Sequence, residues 1–198
     1  ILRTATTTDG GENSTEWAGN LYLVYGKQIW EYDTGAITEL SPGNWTTNSS
    51  EFDGDVQAIA GDASYLHAAV DNGAYLEILA GRWEEVMGSI DWRWHPIAEI
   101  TLTGAGGMYV STVYQKRLWI FSTSASDSVY YIDLPTGYGN VGGDSNLSFK
   151  SGGYLIGPWL DFNLKGDKKA FTKLTCTMSD VDSSNYWTIY FQLWGEST

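Results

Sequence analysis

The chain holds one cysteine, two histidines and four prolines in 198 residues, and its eleven basic residues face twenty-four acidic ones. Each scarcity removes a class of function. A single cysteine, Cys176, excludes an intrachain disulfide and any cysteine-rich metal site. A Ser/His/Asp hydrolase would have to use His67 or His95. The first lies in YLHAAV, which reads as the middle of a strand, and the second precedes Pro96 in a loop-like insertion with no nucleophile-elbow serine beside it. A formal charge of −13 repels phosphate backbones and anionic headgroups, so nucleic acid and membrane surfaces are not expected partners. No run approaches the ~20 apolar residues of a membrane helix. The opening ILRTATTTDGG has neither the charged start nor the apolar run of a signal peptide, and without an initiator Met the chain reads as an internal piece or processed form of something longer.

What is abundant points to pleated structure. Ten Trp and thirteen Tyr pack well on sheet surfaces, and 23 Gly supply tight turns. The expected fold is all-β. In GNLYLVYGKQIWEYDTGAITEL, Gly19 to Leu40, apolar and polar residues alternate through three short strands broken at Gly26-Lys27 and Thr34-Gly35. The pattern returns in Val56 to Val86, where four strands are predicted at Val56–Ala60, Tyr65–Val70, Ala74–Leu79 and Arg82–Val86. Their breaks fall at Gly61-Asp62, Asp71-Asn72-Gly73 and Ala80-Gly81, all turn-forming residues. A third copy spans Gly106 to Pro135, with strands near Met108–Thr112, Arg117–Phe121 and Val129–Asp133.

Units of roughly 40–50 residues with four antiparallel strands are the signature of propeller blades. The chain therefore divides into propeller-like repeats over 1–135, with blades near 19–40, 56–86 and 106–135. The first blade lacks a legible first strand, and Met87 to Gly107 is an extra segment before the third. Trp30, Tyr75 and Tyr130 are expected at equivalent places in successive third strands. A Gly/Ser/Asn-rich connector follows at 136–153. Residues 154–198 read as the start of a β-sandwich, in which Trp187–Trp194 alternates cleanly and Cys176 shares a buried face with Leu174 and Met178.

The hairpin phrase LYLVYGKQIWEYD and the later phrase GGYLIGPWLDFNLKGDKKAFTKLTCTMSDVDSS, together covering most of the chain's pattern, resemble a family of structural proteins from tailed bacteriophages and related mobile elements. The resemblance implies a non-catalytic virion or tail-associated component, in a virion or extracellular setting, whose partners are other copies of itself or neighbouring structural proteins. It transfers no individual functional residue.

Chemistry is sparse beside this. A glycosidase needs carboxylates brought within ~5–10 Å of each other, and Asp53, Asp55, Asp62, Glu77 and Glu84, spread over the first two repeats, are the candidates for such a cluster. No cofactor is expected. Calcium has two candidate loops: EFDGDVQ offers Asp53 and Asp55, and SDVDSSN offers Asp180, Asp182, Ser184 and Asn185 as oxygen ligands without the glycine and distal glutamate of a full motif. A binding surface is predicted at DWRWHP. There Trp92 and Trp94 would form one face and Arg93 and His95 the other, suited to a surface glycan or a protein neighbour if the rings are exposed and to core filling if they are not. Asn13, Asn44, Asn48 and Asn146 match the N-x-Ser/Thr sequon. A carbohydrate-binding or glycan-cleaving propeller and a secreted bacterial surface scaffold remain the alternatives to the structural reading.

Overall fold

The computed structural model describes residues 13–44, 52–86, 88–102, 104–123, 128–137 and 144–147, together with 173, 175–177, 183, 186 and 188–190. The chain divides into two compact units, Ile1–Ser151 and Gly152–Thr198.

The first unit is all-β, as the composition predicts. Strands β1 (Thr15–Trp17), β2 (Asn20–Tyr25), β3 (Gln28–Asp33) and β4 (Ala36–Glu39) form a first antiparallel sheet in that order. A second sheet follows from β5 (Asp55–Gly61), β6 (Leu66–Asp71), β7 (Leu76–Val86) and β8 (Ser89–Ile100), and a third from β9 (Ala105–Ser111), β10 (Arg117–Ser122) and β11 (Val129–Asp133). The sheets are separate and do not close on themselves. None of the described residues forms a helix long and apolar enough to cross a membrane.

Three expectations change. The first sheet does have a first strand, β1, too short to show alternation. Ala80-Gly81 is not a turn but the middle of β7, an eleven-residue strand where two were predicted. Met87 to Gly107 is not an insertion, because it holds β8, the fourth strand of the second sheet, and the start of β9. Glycine serves two ends here. Gly26, Gly35 and Gly73 adopt positive φ at hairpin turns. Gly81 instead lies in a strand, where a Cβ would stand 2.5 Å from Trp94 Cε3 and 2.8 Å from Trp92 Cζ2. Read from sequence, the two uses look alike.

The sheets stack through alternate residues. The first sheet turns Tyr22, Val24 and Ile29 toward Val56, Ile59, Leu66, Ala68, Val70 and Leu79 of the second. The second sheet's other face sets Ala58, Ala69, Leu76 and Ile78 against Leu118, Ile120 and Ala105 of the third. Strand β5 runs beside β9 of the third sheet and beside β1 and β2 of the first, and a cleft of about 280 Å³ is lined by Thr15, Ile59, Gly61, Met108 and Val110. Trp30 and Tyr130 do lie on third strands. Tyr75 precedes β7, so the predicted three-way equivalence fails at that position.

In the second unit, residues 173, 175–177, 183, 186 and 188–190 have no regular secondary structure. Cys176 is exposed, contrary to the buried thiol that its period-two neighbours suggest. Alternation supplies one apolar face, but burial needs a second layer to cover it. The predicted strand Trp187–Trp194 is not formed at 188–190, and its remaining residues, like most of the predicted sandwich, lie outside the described residues.

Candidate functional site

Asp62 opens the turn after β5, the strand beside both neighbouring sheets, and all three sheets meet on it. Its Oδ1 accepts the backbone N–H groups of Ser64 at 2.6 Å and Tyr65 at 2.7 Å, an Asx-type turn that starts β6. Its Oδ2 accepts from His67 Nε2 on β6 at 3.2 Å and from Lys116 Nζ, just before β10 in the third sheet, at 2.8 Å. Its backbone carbonyl accepts the indole N–H of Trp17 from β1. The Asp62 side chain is 3% exposed and that of Lys116 18%. Burial by itself raises a carboxyl pKa, but the donors His67, Lys116, Ser64 and Tyr65 outweigh it and hold Asp62 well below the usual carboxylate range. His67, 2% exposed, is thus a core residue within hydrogen-bond distance of the carboxylate.

The long hairpin β7–β8 outruns β6 beyond Gly81 and reaches over the first sheet. Trp92 and Trp94 lie on the side facing that sheet and are 8% and 2% exposed. Trp92 meets Trp17, Tyr22, Trp83 and Trp94 at ring-centroid distances of 5.4–6.1 Å, and Trp94 Nε1 donates to the Leu40 carbonyl at 2.6 Å. The predicted platform is therefore core, because the first sheet covers the face from which both rings project. Arg93 and His95 do fall on the opposite face, beside Asp91 at 3.3 Å and Glu84 at 3.2 Å. With Arg82 donating to Glu84 at 2.7 Å, they form a half-exposed ion-pair cluster along the hairpin.

Under the same hairpin, the Glu31 carboxylate is buried and accepts from Tyr22 Oη at 2.6 Å, Asn20 Nδ2 at 2.9 Å and Trp83 Nε1 at 3.5 Å. Burial, then the bond to Glu31, raises the Tyr22 pKa far above its ordinary value, so this phenol stays protonated as a donor.

The five carboxylates considered for glycoside chemistry do not gather. Asp62 and Glu77 are buried, Asp53 pairs with exposed Lys27 at 3.1 Å, Glu84 belongs to the hairpin cluster, and Asp55 stands at the far end of β5 from Asp62. None lines the cleft. Among the described residues no three His, Cys, Asp or Glu side chains are grouped to hold a metal ion. The calcium candidates Asp180, Asp182 and Asn185 lie outside the described residues. Two sequon amides are engaged internally. Asn13 Nδ2 donates to the Gln57 carbonyl at 2.7 Å, and Asn146 Nδ2 donates to the carbonyls of Lys116 and Leu134 at 3.1 and 2.7 Å.

What remains open to a partner is surface. On the third sheet, the face turned away from the second carries Tyr109, Trp119, Phe121, Val129 and Tyr131, paired across strands as Tyr109 with Trp119, Trp119 with Tyr131 and Phe121 with Val129. Tyr109 is 63% and Tyr131 50% exposed. Trp119 and Tyr131 pack at 5.3 Å between ring centroids, and the Arg117 guanidinium, bonded to Asp133 at 2.8 Å, lies 4.2 Å over the Tyr131 ring. The first sheet's outward face carries Leu21, Leu23, Trp30, Tyr32 and Ile37, of which Leu21, Tyr32 and Ile37 are exposed. Sequence reasoning fixed on the aromatic density of DWRWHP and passed over these faces. Their signal was present in the aromatic alternation of MYVST, RLWIFS and VYYID, where both strand faces are apolar and one must be left without a layer. No protein-family model, no curated protein and no solved structure matches the chain.

Proposed function

We propose that this chain is a non-catalytic structural module of a phage-like particle or other extracellular assembly, joining neighbouring protein subunits through its sheet faces. One observation carries the reading. The stack of three sheets ends on two apolar faces, while the buried Asp62 and Glu31 carboxylates are held by internal donors whose task is to fasten sheet to sheet. Contiguous exposed apolar surface on a sheet marks contact sites. The propeller-like reading of the repeats is compatible with this, since the second sheet packs through both faces and the first and third through one each. So does the resemblance of its strand phrases to tailed-phage structural proteins.

A second reading has its own support. Tyr109, Tyr131 and Trp119 on a flat sheet, flanked by Arg117 and Asp133, offer ring faces and hydrogen-bonding edges to a sugar. A glycan panel decides between them. The structural reading expects neither turnover nor binding, with concentration-dependent association of the chain with protein subunits. Turnover of any glycan overturns it, and glycan binding lost in Tyr131→Ala moves the function to the sugar-binding class.

A further inference from the structure

Resting on the structural reading above, we infer that the occupant of the third sheet's outer face is the outer face of the first sheet of a second copy, giving a head-to-tail, heterologous contact.

The contact inside the chain has a direction. The first sheet meets the second through the side bearing Tyr22, Val24 and Ile29, and the second meets it through the opposite side, bearing Val56, Leu66 and Leu79. The same order repeats between the second sheet, with Ala69 and Ile78, and the third, with Leu118 and Ile120. A stack built this way ends in two unlike faces. The third sheet leaves uncovered the side that its two predecessors pack forward, and the first sheet leaves uncovered the side that its two successors receive on. Joining them continues the interface already formed twice within each copy, whereas a face meeting its own equivalent would break that direction.

The charges on the two faces do not oppose this pairing. Glu16 and Glu39 lie on the first sheet's outer side, and Arg117 stands on the third sheet's with Asp133 paired to it at 2.8 Å, so that face carries no net charge. The partly exposed Leu21, Tyr32, Ile37, Tyr109, Phe121, Val129 and Tyr131 side chains together present on the order of 600 Å² of apolar surface. That is below the 1,200–2,000 Å² or so of a stable complex, so single junctions are weak and reversible. Copies carrying a net charge of −13 also repel one another, and salt screens that repulsion beyond a Debye length of about 10 Å at 0.1 M and 3 Å at 1 M. Association therefore strengthens with salt.

The test uses the whole chain in sedimentation velocity over a wide concentration range at low and high salt. One variant blocks the third sheet's face with Phe121→Glu and Tyr131→Glu, and a second blocks the first sheet's with Leu21→Glu and Ile37→Glu. Thermal melts confirm that both fold, and Val129→Glu and Tyr32→Glu replace them if either does not. The unaltered chain is expected to form open-ended oligomers, favoured by salt, and each variant alone to lose about tenfold or more in association constant. Mixed together, the two variants regain association but stop at dimers, because only one junction is intact. A chain that stays monomeric throughout, or a single variant that still dimerises, overturns the head-to-tail contact. If that monomer nevertheless binds a different structural subunit through these faces, the structural reading stands while this inference falls. Glycan binding at Tyr131 removes both.

Discussion

Lys116 Nζ lies 2.8 Å from Asp62 Oδ2, a buried ion pair that ties the turn after β5 in the second sheet to the start of β10 in the third. His67 completes the arrangement from β6, and Trp17 brings in the first sheet through the Asp62 carbonyl. The folded carboxyl ionises well below its unfolded value of about 3.9. Its stabilisation is fully present above that unfolded value and is lost as the pH falls below it toward the folded pKa. Asp62→Asn should cost about 3–5 kcal/mol at neutral pH, the range for breaking a buried pair, and should flatten the loss of stability between roughly pH 4 and pH 2. Urea titrations of both proteins across that range check it, and an unchanged acid slope would remove Asp62 as its source.

Trp94 is an anchor of the hairpin to the first sheet. Trp94→Phe keeps most of the ring but leaves the Leu40 carbonyl without its indole donor, a cost of about 1–3 kcal/mol for a buried group left unsatisfied. Trp92→Ala with Trp94→Ala should unfold the first unit or destabilise it grossly, since each large-to-small change in a core costs about 3–5 kcal/mol. Near-UV circular dichroism and denaturant midpoints report both outcomes. A double variant of unaltered stability would mean that the two rings are not core.

Much of the fold was legible and little of the site. The hairpins at Gly26, Gly35 and Asn72-Gly73 could be read because Asx side chains and positive-φ glycines act locally, and Asn72 does accept the Ala74 and Tyr75 N–H groups at 3.0 Å. Gly81 misled because its purpose is to admit Trp94 from another strand, a contact that no local rule encodes. The same error split β7 and turned β8 into an apparent insertion. The Asp62, His67 and Lys116 junction was unreadable for a like reason: its members come from two sheets, and their spacing in sequence has no period. The aromatic pair in DWRWHP looked like a platform because alternation tells which residues share a face but not what covers it.

Gly81 also permits a sharper test. A Cβ there overlaps both Trp rings, and overpacking a close-packed core costs about 1–3 kcal/mol. At Gly73 a Cβ meets nothing, yet the positive φ of 88° imposes about 1–2 kcal/mol of backbone strain on alanine. The two losses have different origins. Trimming the ring with Trp94→Leu should offset part of the Gly81→Ala cost and none of the Gly73→Ala cost, so a double-mutant cycle should show coupling at the first glycine and additivity at the second. Additive behaviour at both would mean that the Trp94 ring is not what requires a glycine at position 81.

Asn146 closes the third sheet from outside its strands. Its amide bridges the Lys116 and Leu134 carbonyls, while Asp144 accepts the N–H groups of Asn146 at 2.9 Å and Thr136 at 2.6 Å. Those two bonds from the Asn146 and Thr136 backbones lower the Asp144 pKa, so the brace is formed with an ionised carboxylate at neutral pH. The Lys116 carbonyl belongs to the same residue whose ammonium grips Asp62, so the brace and the inter-sheet ion pair share one backbone segment. Asn146→Ala removes both amide donors and should cost about 1–3 kcal/mol. It should also raise hydrogen exchange at Leu134, Thr136, Asn146 and Leu147 and, through Lys116, at Ser64 and Tyr65, whose amides Asp62 holds. Exchange that rises around Asn146 but stays unchanged at Ser64 and Tyr65 would show that the brace acts on the third sheet alone and does not support the junction between sheets.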